Sequence, residues 1–381
     1  MRYPAHIPSD DLVKDLKAGE AVVLGLMSGS SLDGVDLCLA RFGYGPQRPW
    51  TYRILSARTL PYPAELQERL RHSPQGTRSE LSQLDVELGQ WWGHEIVAFL
   101  ESYRQSGGEE VPILLASHGH TVDHRPERGY TYQIGHPAWL HALTGLPVIH
   151  DFRSADVALG GQGAPLVPMG DALLFGHYQA CLNLGGIANV SWENNGVRKA
   201  CDLTFCNTAL NRFAQRAGMA MDRDGILSEN GRLLPDVLQV WDAAPWYRET
   251  GARSLDTATF EQQFEPITLT QSYDPGDLCY TWCEHSARVL AKALDACSDP
   301  SDLRKNGQVL LSGGGVAHPV LLRCLSQKTK WSPVVAEAEL RDFKEALIFG
   351  LLGLLHALDR PNVLGSGTGA PYHHRSGSRI G

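Results

Sequence analysis

Short apolar runs of strand character recur along the chain, at 21–26, 36–42, 51–59, 113–117, 148–151, 180–184, 189–192 and 309–312. Each is bounded by Gly, Pro, Asn or Asp, the residues that end strands. Between them an apolar spacing of three to four residues predicts helices over 81–102, 208–218, 278–297, 318–326 and 343–358. Strands alternating with helices predict an α/β protein with a largely parallel sheet. The first two runs flank a tight polar segment and predict an antiparallel hairpin. Its tip holds Gly29, Ser30, Ser31, Leu32, Asp33, Gly34, Val35 and Asp36. Glycines there leave N–H groups uncovered, serines add donors, and the two acids can hold a cation, although an ordinary polar hairpin has the same composition.

Glycine clusters stand at strand ends in four places: 28–34, 160–163, 185–186 and 313–315. Several such turns suit one polyanionic ligand, because ligands gather at strand ends in α/β sheets. The chain has no GxxxxGK[ST] and no GxGxxG opening a helix after a strand, which excludes P-loop and Rossmann explanations. The run Gly365-Ser-Gly-Thr-Gly369 lies in a polar tail and reads as a loop.

Composition narrows the class. At 381 residues the length favours two domains, and 43% hydrophobic with 20% charged residues is ordinary for a soluble enzyme. The net charge of −8 argues against nucleic-acid binding and requires any bound phosphate to be met by backbone N–H groups and a metal. No run approaches the roughly 20 apolar residues of a membrane span. The polar segment 1–20 lacks a signal-peptide core, so the expected location is cytoplasmic. The eight cysteines form no CxxC pair; Cys279 and Cys283, one helical turn apart, read as buried thiols on a helix face.

Four further blocks are more specific. They are Ser117-His-Gly-His-Thr-Val-Asp-His124 leading to Tyr132-Gln-Ile-Gly135, Asp151-Phe-Arg-Ser-Ala-Asp156 running into Gly160-Gly-Gln-Gly-Ala-Pro-Leu-Val-Pro168, Asn183-Leu-Gly-Gly-Ile-Ala-Asn-Val190, and Cys201-Asp-Leu-Thr-Phe-Cys-Asn207. Together, in order from about Val22 to about Pro371, they resemble the anhydro-N-acetylmuramic acid kinase family, of the superfamily of sugar kinases, actin and the Hsp70 ATPase domain. The resemblance implies a two-lobed, actin-like (ribonuclease H-like) α/β fold with nucleotide in the cleft between lobes 1–149 and 150–381, the tail 360–381 packing back on the first. It implies ATP and Mg²⁺ as cofactors, and a homodimer. The first phosphate loop would be Gly29–Asp36 and the second the turn at Asn183, Gly185 and Gly186. Gly313, Gly314 and Gly315 would lie on the adenosine side. Related kinases carry an acid near the position of Met27, so Asp33 or Asp36 would have to support the metal.

The implied reaction is unusual. A 1,6-anhydro sugar has O6 tied to C1, so water must open the bridge while O6 takes the γ-phosphate. That needs a base to activate water at C1, and Asp202 matches it. Arg153 matches an arginine meeting the lactyl carboxylate or acetamido oxygen of the sugar, where a planar fork suits better than lysine. Glu345, at the start of the C-terminal helix, would touch sugar oxygens, and His118 and Thr121 would line the same pocket.

Three departures bear on this. The family pattern Asp-Thr-Gly-Pro-Gly-Asn becomes Asp202-Leu-Thr-Phe-Cys-Asn207, so bulky residues replace glycines in the turn expected to present the acid. His120 stands where glutamine is commoner, and Arg253-Ser-Leu-Asp256 matches its block loosely. His118, His120, Asp123 and His124 also admit a metal site. Two alternatives stay open at this level: a kinase of another anhydro sugar such as levoglucosan, and an inactive nucleotide- and sugar-binding sensor.

Overall fold

The computed structural model describes residues 16, 19–29, 32, 34–45, 48–248, 255, 257–297 and 307–381. Ser30, Ser31, Asp33 and most of the 253–256 block lie outside the described residues. The strands are β1 (Glu20–Ser28), β2 (Gly34–Gly45), β3 (Arg48–Pro61), β4 (Leu114–Ser117), β5 (His120–Arg125), β6 (Tyr130–Ile134), β7 (Val148–His150), β8 (Ala180–Leu184), β9 (Ile187–Asn194), β10 (Val197–Phe205), β11 (Gln308–Ser312), β12 (Ser332–Val335) and β13 (Ser378–Ile380).

The chain divides into two compact units, Met1–Leu174 with Phe343–Gly381, and Phe175–Asp342. The sequence reading divided it at 149/150. The first unit instead runs on to Leu174 and takes the chain back at Phe343, and β13 adds an antiparallel edge to β7.

Both sheets are mixed rather than largely parallel. The first has the order β13-β7-β4-β1-β2-β3 and the second β10-β9-β8-β11-β12. In each unit three consecutive strands form an antiparallel meander, because their connections are too short for a crossover. The fourth and fifth then run parallel to the first, through β1–β4–β7 and β8–β11–β12. Numbered within its own unit, the second sheet reads 3-2-1-4-5, the ribonuclease H-like order, and the first reads the same with β13 added as a sixth strand beside β7 and the β5–β6 hairpin inserted. Sequence periodicity left out β5, β6, β10, β12 and β13 and began the C-terminal helix at 343, whereas it starts at Ala338; Gly365–Thr368 forms a short helix in place of a loop.

In the first unit, alternation along β1 and β2 sends Leu24, Leu26, Leu37 and Leu39 to one face, where they pack with Trp92, Ile96 and Phe99 of helix Arg78–Gln105. A capping box between Thr77 and Glu80 starts that helix. Helix Ala338–Ala357 covers the other face and is apolar nearly all round, with Ala346, Leu347, Ile348, Phe349, Leu351 and Leu352 buried. It is a core helix, and no helix among the described residues is long and apolar enough to cross a membrane. In the second unit helix Pro275–Ala296 brings Trp282 into an aromatic cluster with Trp241, Phe213, Phe260 and Phe264. Cys279 and Cys283 sit inside this core, and burial pushes the Cys279 thiol up to about 12.

Helix Ala338–Ala357 approaches β1 at Gly25, where a Cβ would lie 1.9 Å from the Ala346 carbonyl oxygen. Backbone occupies that space, so neither side can yield cheaply. Gly25→Ala should therefore destabilise the protein by about 3 kcal/mol, whereas Gly350→Ala, whose Cβ would meet its nearest neighbours at 3.6 Å, should cost less than about 1 kcal/mol. Denaturant unfolding of the two variants checks the contrast.

Candidate functional site

In the second unit the site follows from strand register. Asp202 on β10 pairs with Asn189 on β9, Asn189 with Asn183 on β8, and Asn183 with Ser312 on β11. Cross-strand partners share a face, so these four polar residues form one row across the sheet. A bulge between Asp202 and Thr204 accompanies the acid, which sits near the end of a strand and not in the turn expected from sequence. One Asp202 carboxylate oxygen, Oδ2, accepts the Leu255 N–H at 3.0 Å.

Two glycine turns adjoin the row. Gly185-Gly186 connects β8 to β9, and its carbonyls accept N–H groups of Cys206, Asn207 and Thr208 at 2.8–3.2 Å. This ties the start of helix Asn207–Gln215 to the turn. Gly313 follows Ser312 at φ +84°, and a Cβ there would meet Asn183 Oδ1 at 2.5 Å. Only glycine fits both that backbone and that space. Gly314 and Gly315 continue as a short 3₁₀ turn, with Gly315 against the Leu184 carbonyl.

The first unit carries the remaining predicted residues. β1 and β2 pair as far as Ser28 opposite Val35, so the hairpin expected from sequence is present. Leu32 has φ +58°, and its carbonyl accepts Gln67 Nε2–H at 2.7 Å. Asp36 lies opposite Met27 and Thr59, accepting the Thr59 hydroxyl at 2.5 Å. Among the described residues no group of three or more His, Cys, Asp or Glu is placed to hold a metal. A lone carboxylate fits Mg²⁺, which is held largely by phosphate and water, and the residue types give it no closed protein cage.

His118 follows β4, and its Nδ1 donates to the Gly119 carbonyl at 2.8 Å. That leaves Nε2 as an acceptor for the Arg153 guanidinium, whose Nε and terminal nitrogen lie at 3.0 and 2.8 Å. A third Arg153 N–H bonds the Gly163 carbonyl at 2.5 Å. Burial lowers Arg153 to about 10, against the opposing pull of Glu345 and Asp156. Glu345, two turns into helix Ala338–Ala357, is pushed up by burial and held back by Lys344 and Arg153. Arg153 and Glu345 thus form a charged pair of groups beside the neutral His118 ring. Thr121 instead meets Gln133 Nε2 across the β5–β6 hairpin at 3.5 Å. Of the histidines, His118 is engaged at both ring nitrogens, and His120 Nδ1 bonds Ser28 Oγ at 2.8 Å, which also bonds Tyr62.

Four residues were missed from sequence. Asp156 is fully buried, accepts the Gly163 N–H and the Thr368 hydroxyl at 2.6 Å each, and so ties the Gly160–Gly163 loop to the C-terminal tail. Lys344 and Asp171 form a buried ion pair at 2.7 Å beside Glu345. Asn189 completes the polar row. Asp156 and Asn189 stand inside quoted blocks and Lys344 precedes Glu345, but only folding gives each its partners. Beside His118 a cavity of about 330 Å³ is lined by Asp85, Ser117, His136, His150 and Asp151 among others; the Ser117 hydroxyl and His136 Nδ1 are buried there without a bonded partner among the described residues.

A duplicated ribonuclease H-like unit with a glycine turn at each leading hairpin defines the sugar kinase, actin and Hsp70 class of fold. A family model described as anhydro-N-acetylmuramic acid kinase matches residues 21–380, and the chain belongs to that family. An anhydro-N-acetylmuramic acid kinase of Parasynechococcus marenigrum is 32% identical over 94% of this chain and 98% of its own length. One from Bordetella pertussis is 36% identical over 91% and 92%. Among solved structures, the activator of 2-hydroxyisocaproyl-CoA dehydratase from Clostridium difficile, with bound ADPNP, overlaps 89% of this chain and 96% of its own at 13% identity and a TM-score of 0.43.

Burial keeps His118 and His120 neutral, lowering His120 to about 4. Below pH 6.5 the unfolded chain therefore binds protons that the folded protein refuses, so stability falls as pH drops from 6.5 toward 4. Acidification from pH 7 to 5 should cost about 2 kcal/mol through His120 alone. His120→Gln should flatten that slope, as read from urea unfolding at each pH.

Proposed function

We propose that the protein is an ATP-dependent kinase that opens 1,6-anhydro-N-acetylmuramic acid with water and phosphorylates O6, giving N-acetylmuramic acid 6-phosphate and ADP. The observation that carries this reading is the row Asp202–Asn189–Asn183–Ser312, which runs from a carboxylate to the glycine turn at Gly313. A base in one row with Asn183, whose strand leads into the Gly185-Gly186 turn assigned to phosphate, is what coupled ring opening and phosphoryl transfer require.

Asp202 takes a proton from the attacking water as the C1–O6 bond breaks, and O6 displaces ADP from the γ-phosphorus. The carboxylate also favours positive charge on the ring in the transition state. Gly29–Asp36 and the Asn183, Gly185, Gly186 turn are assigned to the phosphates, and Gly313–Gly315 to the adenosine side. At the second turn the carbonyl edge is occupied by the helix Asn207–Gln215, so a phosphate would approach the N–H edge. Mg²⁺, when bound, would neutralise phosphate charge, with Asp36 or Asp33 supporting it.

In the first unit, Arg153 is assigned to the lactyl carboxylate or acetamido oxygen and Glu345 to sugar hydroxyls, with His118 and Thr121 lining the pocket. The neutral His118 tautomer suits this, since it accepts from Arg153 and fixes the fork without removing its charge. The cavity beside His118 offers room for a sugar substituent. A homodimer in the cytoplasm, where ATP is supplied, completes the proposal, and light scattering measures the former.

Incubation with Mg-ATP and the anhydro sugar in ¹⁸O-labelled water should give a product with one phosphate and one labelled oxygen at C1, seen by mass spectrometry. Asp202→Asn should abolish that product; unchanged sugar with folded, ATP-binding parent protein overturns the reading. Arg153→Ala should lower kcat/KM for the muramic sugar about 10- to 100-fold, the loss of a charged hydrogen bond, and leave turnover of levoglucosan, which lacks both substituents, nearly unchanged.

A further inference from the structure

Residues 202–205 are held from outside the sheet. The bulge at Leu203 interrupts the β9–β10 ladder. In its place the Trp246 indole N–H donates to the Leu203 carbonyl at 3.3 Å and the Trp282 indole to the Phe205 carbonyl at 3.1 Å. The Leu255 N–H meets the Asp202 carboxylate. Between these anchors, Thr204 Oγ1 lies 2.9 Å from the Tyr247 hydroxyl, which lies 2.8 Å from His285 Nε2. His285 Nδ1 lies 2.7 Å from Asp242 Oδ1, whose other oxygen accepts Arg288 at 2.8 Å.

The chain has one consistent direction. The Asp242 carboxylate only accepts, so His285 donates through Nδ1 and accepts through Nε2. Tyr247 must then give its proton to His285 and accept from Thr204. Burial pushes His285 down, against the pull of Asp242, which keeps the imidazole in this neutral form. Thr204 and His285 are fully buried, so breaking any link leaves a desolvated polar group.

We infer that Tyr247, braced by His285 and Asp242 and acting through Thr204, is a positioning residue that sets where the Asp202 carboxylate stands. Fixed Thr204 fixes the bulge, and the bulge fixes the strand residue that precedes it. No glycine turn is needed for this; Leu203 and Phe205 fill the core and the hydroxyl chain supplies the register. The inference rests on the proposed role of Asp202 as base.

The test compares Thr204→Val, Thr204→Ser and Tyr247→Phe. Val and Phe keep the volume and remove the hydroxyl link; Ser keeps the link. Thr204→Val and Tyr247→Phe should each lower kcat about tenfold, with KM for sugar and ATP within about twofold, because misplacing a base costs turnover more than binding. Thr204→Ser should retain kcat within about threefold. A parent-like kcat in Thr204→Val, a loss confined to KM, or a Ser variant as impaired as Val overturns the inference. Amide hydrogen exchange over 202–207 reads the clamp without turnover, and Tyr247→Phe should raise it about tenfold over the parent. Exchange unchanged in that variant also overturns the clamp. A parent enzyme inactive on the sugar counts instead against the proposed reaction.

Discussion

The register of β8, β9, β10 and β11 is the constraint on which the second unit depends. Side chains alternate faces along a strand, so a slip of one residue between β9 and β10 would turn Asp202 away from Asn189. The register is held by a turn and by the core. The two-residue Gly185-Gly186 connection fixes β8 against β9, and three N–H groups of the following helix lock that connection in place. The opposite faces of these strands feed Leu182, Leu184, Ala188 and Val190 into the core, so slipping would also expose apolar surface. The site is thus held by core burial together with its own hydrogen bonds.

The first unit solves a different problem, which is to hold an arginine and a glutamate in one half-buried cluster. A buried charge is costly unless it is paired and bonded. Arg153 has three N–H groups engaged by neutral acceptors, a histidine ring and a carbonyl, so its charge is solvated by the protein without being cancelled by contact. Lys344 takes Asp171 as its own partner, which frees Glu345, the next residue, from that role. An arginine held in this way is preorganised for an anionic or carbonyl oxygen on a ligand.

Motif blocks made the glycine turns of the candidate site legible in the sequence, because a backbone at positive φ in a tight space demands glycine. Gly313, with its positive φ and no space for a Cβ, is such a case. Central strands and the longer helices were legible through periodicity. What was not legible depends on contacts distant in sequence. β10 carries Arg198, Lys199 and Asp202 among apolar residues, and the altered Asp202–Asn207 block looked like a turn until β9 paired with it. Asp156 reads as one more polar residue of its block, yet its partners are Gly163 and Thr368, the latter near the other end of the chain. The division at Leu174 was hidden for the same reason, since the tail and the C-terminal helix rejoin the first unit across the whole length of the second.

The altered block bears on how a turn may be encoded. A glycine turn holds its shape by permitting dihedrals that other residues resist, at the cost of more freedom lost on folding. Here a bulged strand adopts ordinary residues and draws its shape from neighbours: two indole N–H groups on alternate carbonyls, and a hydroxyl chain ending on a carboxylate. Every buried polar group in that chain has its partner, the condition under which a buried network rigidifies instead of destabilising. Loss of glycine in the motif is therefore compatible with a well-placed acid, because the placement has moved from the backbone of the turn to the side chains packed over it.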